Sequence, residues 1–113
     1  MKKISLMILM VSALGFVSCE SSTSQDISVP VTNPNYTANI APVIGSKCVS
    51  CHSGGNQNPN LETYAQVKNA TQSGSLLCRI NGSCGAIMPP SGALPSATIA
   101  MITLWKTQGY LEN

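Results

Sequence analysis

Cys48, Val49, Ser50, Cys51 and His52 form the stretch with the most distinctive chemistry in the chain. Two cysteines separated by two residues and followed at once by a histidine make the pattern of covalent haem attachment. Each thiol can add to one vinyl group of the same porphyrin, while His52, next round the turn, faces the iron as its proximal ligand. Taken alone, the pentapeptide also fits half of a zinc site or a redox dithiol. The remaining donors have to decide between these readings.

His52 is the only histidine, so a second imidazole on the iron would have to come from another molecule. Of the five methionines, Met1, Met7 and Met10 fall in an amino-terminal segment that reads as a removable signal, which leaves Met88 and Met101. Met101 lies within a helical pattern and reads as core. Met88 lies in Gly85-Ala86-Ile87-Met88-Pro89-Pro90-Ser91-Gly92, a loop stiffened by two prolines. Proline fixes its own φ and pushes the preceding residue towards an extended conformation, which can aim a methionine inwards without a helix. Met88 is therefore the expected distal ligand. His/Met ligation raises the potential relative to two histidines and closes both axial positions, so the iron is suited to moving electrons and binds little else.

The elements around this site follow from the pattern of the chain. Met1-Lys2-Lys3, the almost wholly apolar run from Ile4 to Val17 and small Ser18 read as a signal peptide over 1–18. The apolar run is too short to remain as a membrane span. Phe16-Val17-Ser18-Cys19 resembles the lipobox of bacterial lipoproteins, although that box usually has leucine where Phe16 stands. The resemblance implies cleavage before Cys19, lipid attachment to that residue and a protein anchored on the periplasmic side of a bacterial membrane. Residues 19–35, rich in Ser, Thr, Asn and Pro, read as a flexible tether. Residues 36–113 form the domain.

Loss of Lys2 and Lys3 with the signal leaves Lys47, Lys68, Arg79 and Lys106 against Glu20, Asp26, Glu62 and Glu112. A neutral mature chain without a basic run has no electrostatic footprint for nucleic acid. The domain is near the size at which an apolar core alone barely suffices. Its aromatics are only Tyr36, Tyr64, Trp105 and Tyr110, so a buried porphyrin would supply missing apolar bulk. The chain without it is expected to be loosely packed or unfolded.

Three helical stretches surround the motif. Tyr36, Ile40, Val43, Ile44 and Lys47 recur at three- and four-residue spacing, a face that runs straight into Cys48. Pro42 fits only near a helix start, which places the cap at Thr37 or Asn39. Residues 53–60 form a turn-rich loop, and Leu61 to Gln72 carries a second stripe that ends near Gly74. Ser75 to Ile80 either extends it or forms a separate turn. Pro95 and Ser96 open a last helix that Gly109 closes, with Ile99, Ile102 and Trp105 along one side packing on the first helix. Trp105 reads as core rather than as a contact of the haem edge.

Ile40-Ala41-Pro42-Val43-Ile44 before the Cys48–His52 motif, Leu77-Cys78-Arg79-Ile80, Ile87-Met88-Pro89-Pro90 and the run from Ile99 through Trp105 to Gly109 resemble the small monohaem cytochromes c of class I type. The resemblance covers most of residues 36–111. It implies an all-α, cytochrome c-like fold of about three to four helices around one covalently bound haem c, an iron protoporphyrin IX. It also implies thioethers at Cys48 and Cys51, axial ligands His52 and Met88, and electron carriage.

The chain departs from the simplest members of that family at Cys78 and Cys84. In an oxidising compartment two such near cysteines are expected to pair, closing a loop of about seven residues worth roughly 2 kcal/mol. The loop lies just before Met88 and would restrain it. A rival arrangement is a structural zinc site built from Cys48, Cys51, Cys78 and Cys84. A second is a haem sensor or peroxidase-like protein with a labile Met88. No second histidine, Ser/His/Asp set, carboxylate pair or phosphate loop supports catalysis, so the reading is a non-enzymatic electron carrier serving redox partner proteins. Lys47 and Lys68 are candidates to guide docking, though their ordinary role is solvated surface.

Overall fold

The structure is a computed structural model and describes residues 30–113. The expected signal peptide, Cys19 as the expected site of lipid attachment and most of the expected tether lie outside the described residues. Within them the protein is all-α, with no strand and no helix long and apolar enough to cross a membrane. Four α-helices follow one another: α1 (Ala41–Lys47), α2 (Tyr64–Gln72), α3 (Ser75–Ile80) and α4 (Ser96–Thr107).

The first helical turn begins at Tyr36, where the apolar spacing starts, ahead of the cap positions that Pro42 suggested. The side chain of Asn35, in extended conformation, accepts from the Ala38 N–H at 2.7 Å and caps a π-helical turn over Tyr36–Ile40. Ala41 N–H closes that turn on the Tyr36 carbonyl, and α1 continues directly from it. The change from the wider to the ordinary helical register occurs beside Pro42, the residue that has no N–H to donate. A wide turn there makes room for the proline ring, so neither Thr37 nor Asn39 is needed as the cap.

The second helix starts three residues later than its apolar stripe. Thr63 accepts from the Gln66 N–H, and the Gln66 side chain returns to the Thr63 N–H at 3.1 Å, a reciprocal capping box. Leu61, buried, sits before the cap and anchors the chain's entry. Gly74 has φ +86°, a left-handed conformation that stops α2 and makes α3 a separate helix. Pro95 precedes Ser96 at the start of α4, as predicted, and Gly109 at φ +88° follows its end.

The core joins the two ends of the described chain. Ile40 and Ile44 from the first helix, Val67 and Ala70 from α2, Leu76 and Ile80 from α3, and Ile102 and Trp105 from α4 are buried in one cluster. Trp105 is fully buried, donates from Nε1 to the Leu111 carbonyl at 2.8 Å, and meets the rings of Tyr36, Tyr64 and Tyr110. The same Leu111 carbonyl accepts from Tyr36 N–H, and Thr37 N–H reaches Glu112, so the carboxy-terminal segment is stitched to the first turn. Burial, and then the nearby Glu112 charge, pushes the Tyr36 phenol above its ordinary pKa. The last residues of the expected tether also touch the domain. Pro34 is fully buried and the Thr32 carbonyl accepts from Gln108.

Candidate functional site

The Cys48–His52 motif follows α1 without a break. Cys48 N–H still bonds to Ile44, and the Cys48 carbonyl then accepts from both Cys51 N–H (3.1 Å) and His52 N–H (2.9 Å). One carbonyl gathering two successive donors folds the motif into a tight turn and brings the two thiols and the imidazole to the same end of the helix. The following loop is closed where Leu61 N–H meets the His52 carbonyl at 2.8 Å. Gly54 N–H on Glu62 and Gly55 N–H on Asn60 stiffen its interior.

His52 Nδ1 lies 2.9 Å from the Pro59 carbonyl oxygen. A carbonyl can only accept, so this nitrogen carries a proton and donates it, and in the neutral ring Nε2 then holds the lone pair. The contact also fixes the ring plane, the usual way a ligating imidazole is oriented.

His52 faces a cavity of about 250 Å³, lined also by Cys48, Cys51 and Met88, with Leu61, Leu76 and Ile80 supplying apolar wall. Four donors of the kinds singled out in the sequence thus share one space, although Met88 is 36 residues beyond the histidine. Lys47 and Arg79 also line this cavity, with no acidic residue beside them. Lys68 stands elsewhere, its ammonium 5.6 Å from the Tyr64 ring centre and 5.7 Å from that of Tyr110. Trp105 and Met101 are outside the cavity and belong to the core side of α4.

Cys48 and Cys51 are free thiols, Cys48 half-buried and Cys51 exposed. Burial pushes the Cys48 thiol above its ordinary pKa. That makes Cys48 the poorer nucleophile in any disulfide exchange. Cys78 and Cys84 are joined to one another, with Cα atoms 5.3 Å apart. That removes two of the four thiolates the zinc arrangement requires, and no group of three or more Cys, His, Asp or Glu converges on a metal-sized site among the described residues.

Two partners of the site have little or no signal in the sequence. Nothing in the turn-rich loop singles out the Pro59 carbonyl as the one that meets the imidazole. Arg79 carries a charge that reads as surface, yet it lines the cavity and binds the Met88 loop. The capping box of α2 was the more legible feature, since Thr63-Tyr64-Ala65-Gln66 has its spacing. The chain matches no family model, no curated protein and no solved structure.

Proposed function

We propose that the protein is an electron carrier with one covalently attached c-type haem, ligated by His52 and Met88. The observation that carries this reading is the meeting of two thiols, an imidazole with its Nε2 lone pair free and a thioether around one apolar-walled cavity. This donor set fits the group. Cys48 and Cys51 would hold it by thioethers, and His52 and Met88 would take the two axial positions. When bound, haem supplies reversible one-electron chemistry between ferrous and ferric iron.

The chain's own residues supply the rest. Pro59 holds the imidazole proton on Nδ1 and keeps Nε2 pointed for ligation. Leu61, Leu76 and Ile80 exclude water from the wall of the cavity. Met88, delivered by its own loop, would be the second ligand from the chain, and a group held by both residues would suit a carrier rather than an enzyme, peroxidase or gas sensor. Redox partner proteins would dock at the cavity mouth, where Lys47 stands. A lipid on Cys19 would keep the domain at a membrane on the periplasmic side, and nucleic acid has no role.

The test is a potentiometric titration of the protein matured with a c-type haem-attachment system, followed by its visible spectrum. The expected result is one reversible one-electron step, with a thioether-to-iron absorption band in the oxidised form that Met88→Leu removes. An oxidised form that lacks the band and binds imidazole or peroxide at once would replace the carrier with the sensor or peroxidase reading.

A further inference from the structure

We propose that Arg79 is the positioning residue for Met88, an inference that rests on the haem-carrier reading above. Among the described residues, the segment 85–90 is hydrogen-bonded to the helices at one place only. The Met88 N–H donates to the Arg79 carbonyl at 3.0 Å, and Arg79 Nη1 donates to the Ala86 carbonyl at 3.3 Å. The Arg79 carbonyl also receives Gly82 N–H at 3.3 Å, so one residue of α3 holds the loop at its start, middle and end.

The loop is shaped to let the guanidinium in. Gly85 has φ +109°, and a Cβ placed there would lie 2.9 Å from Arg79 Nη1, closer than real side chains tolerate. Next to Arg79, Cys78 is tied to Cys84, and its carbonyl takes Ser83 N–H at 2.9 Å. The disulfide limits how far the loop can open, and the guanidinium holds its middle at Ala86, so Met88 is reached from a fixed point two residues before it. Arginine suits this task because its planar donor group is held rigidly and stays charged. Arg79 and Met88 line the same cavity, and the guanidinium acts on Met88 through Ala86, two residues before it.

Imidazole competes for the sixth iron position only when Met88 leaves it, so its binding rate reports the hold on the loop. In the matured protein, Arg79→Gln is expected to bind imidazole about five-fold faster, the effect of losing one ordinary hydrogen bond, and to weaken the thioether-to-iron band. Gly85→Ala is expected to do the same by displacing the guanidinium. Arg79→Lys keeps the charge without the fork and should follow Arg79→Gln rather than the parent, which separates positioning from charge. The covalent haem content should be unchanged in all three. If variants that carry covalent haem bind imidazole at the parental rate with a full band, Arg79 does not position Met88. If Arg79→Gln fails to accumulate, Arg79→Lys and Gly85→Ala decide by the same two readouts. A parent protein without the band would instead overturn the ligation by Met88 itself, whatever the variants do.

Discussion

Replacing Cys78 and Cys84 together with serine tests how the fold holds its ligand loop. The two residues are six apart, so the bond closes about seven residues. The chain-entropy relation for a loop of that size gives about 2 kcal/mol at 25 °C. In a domain of this length each kcal/mol moves the melting temperature by about 4–8 °C, so the double variant should melt roughly 10 °C lower. The hydrogen bonds from Ser83 to Cys78 and from Met88 to Arg79 survive the substitution, so the loop keeps its course and only its restraint is lost. Thermal unfolding followed by far-ultraviolet circular dichroism measures the shift, and the parent protein with a thiol reductant should fall to the same temperature. A shift below about 2 °C in both would refute the reasoning, because the unfolded chain would then not be restrained by this bond.

Two further outcomes follow from the packing and the thiols. Trp105→Phe should destabilise the fold by about 2 kcal/mol in urea unfolding, roughly half from the space left by the smaller ring and half from the lost bond to Leu111. The cost stays that small because Leu111 keeps its bond from Tyr36 N–H, and a loss above about 4 kcal/mol would contradict that. In haem-free chain that circular dichroism shows to be folded, iodoacetamide should label exposed Cys51 ahead of half-buried Cys48, as read by peptide mass spectrometry across a pH series. Because burial raises the Cys48 pKa in the folded state, the neutral thiol is favoured there. The stability linked to it is full below the unfolded thiol's pKa and is lost as pH rises through the folded one. Equal labelling of the two thiols at every pH in that folded material would contradict the burial of Cys48.

The parts of the site that were legible in the sequence are those whose chemistry is local. Cys48, Cys51 and His52 are adjacent in the chain, and any helical turn brings them together. Gly74, Pro95 and Gly109 mark helix ends because their backbone preferences act within a turn. The cap of the first helix was misplaced because Pro42 pointed to a start at Thr37 or Asn39, whereas Asn35 caps a π-turn that precedes the proline. The approach of Pro59 to His52 and the grip of Arg79 on residues 82–88 depend on how irregular loops close, and no periodicity reports that. Met88 lies between the two cases. Its prolines suggest a stiff loop, but that the loop ends at the cavity of His52 emerges only from the fold.

The most direct test of the central claim is the intact mass of the full chain after expression with and without a c-type haem-attachment system. The haem-carrier account predicts a gain of one haem that survives denaturation and disappears when Cys48 and Cys51 are both replaced by alanine. A chain recovered at its polypeptide mass, with the thiols of Cys48 and Cys51 still open to alkylation, would contradict it.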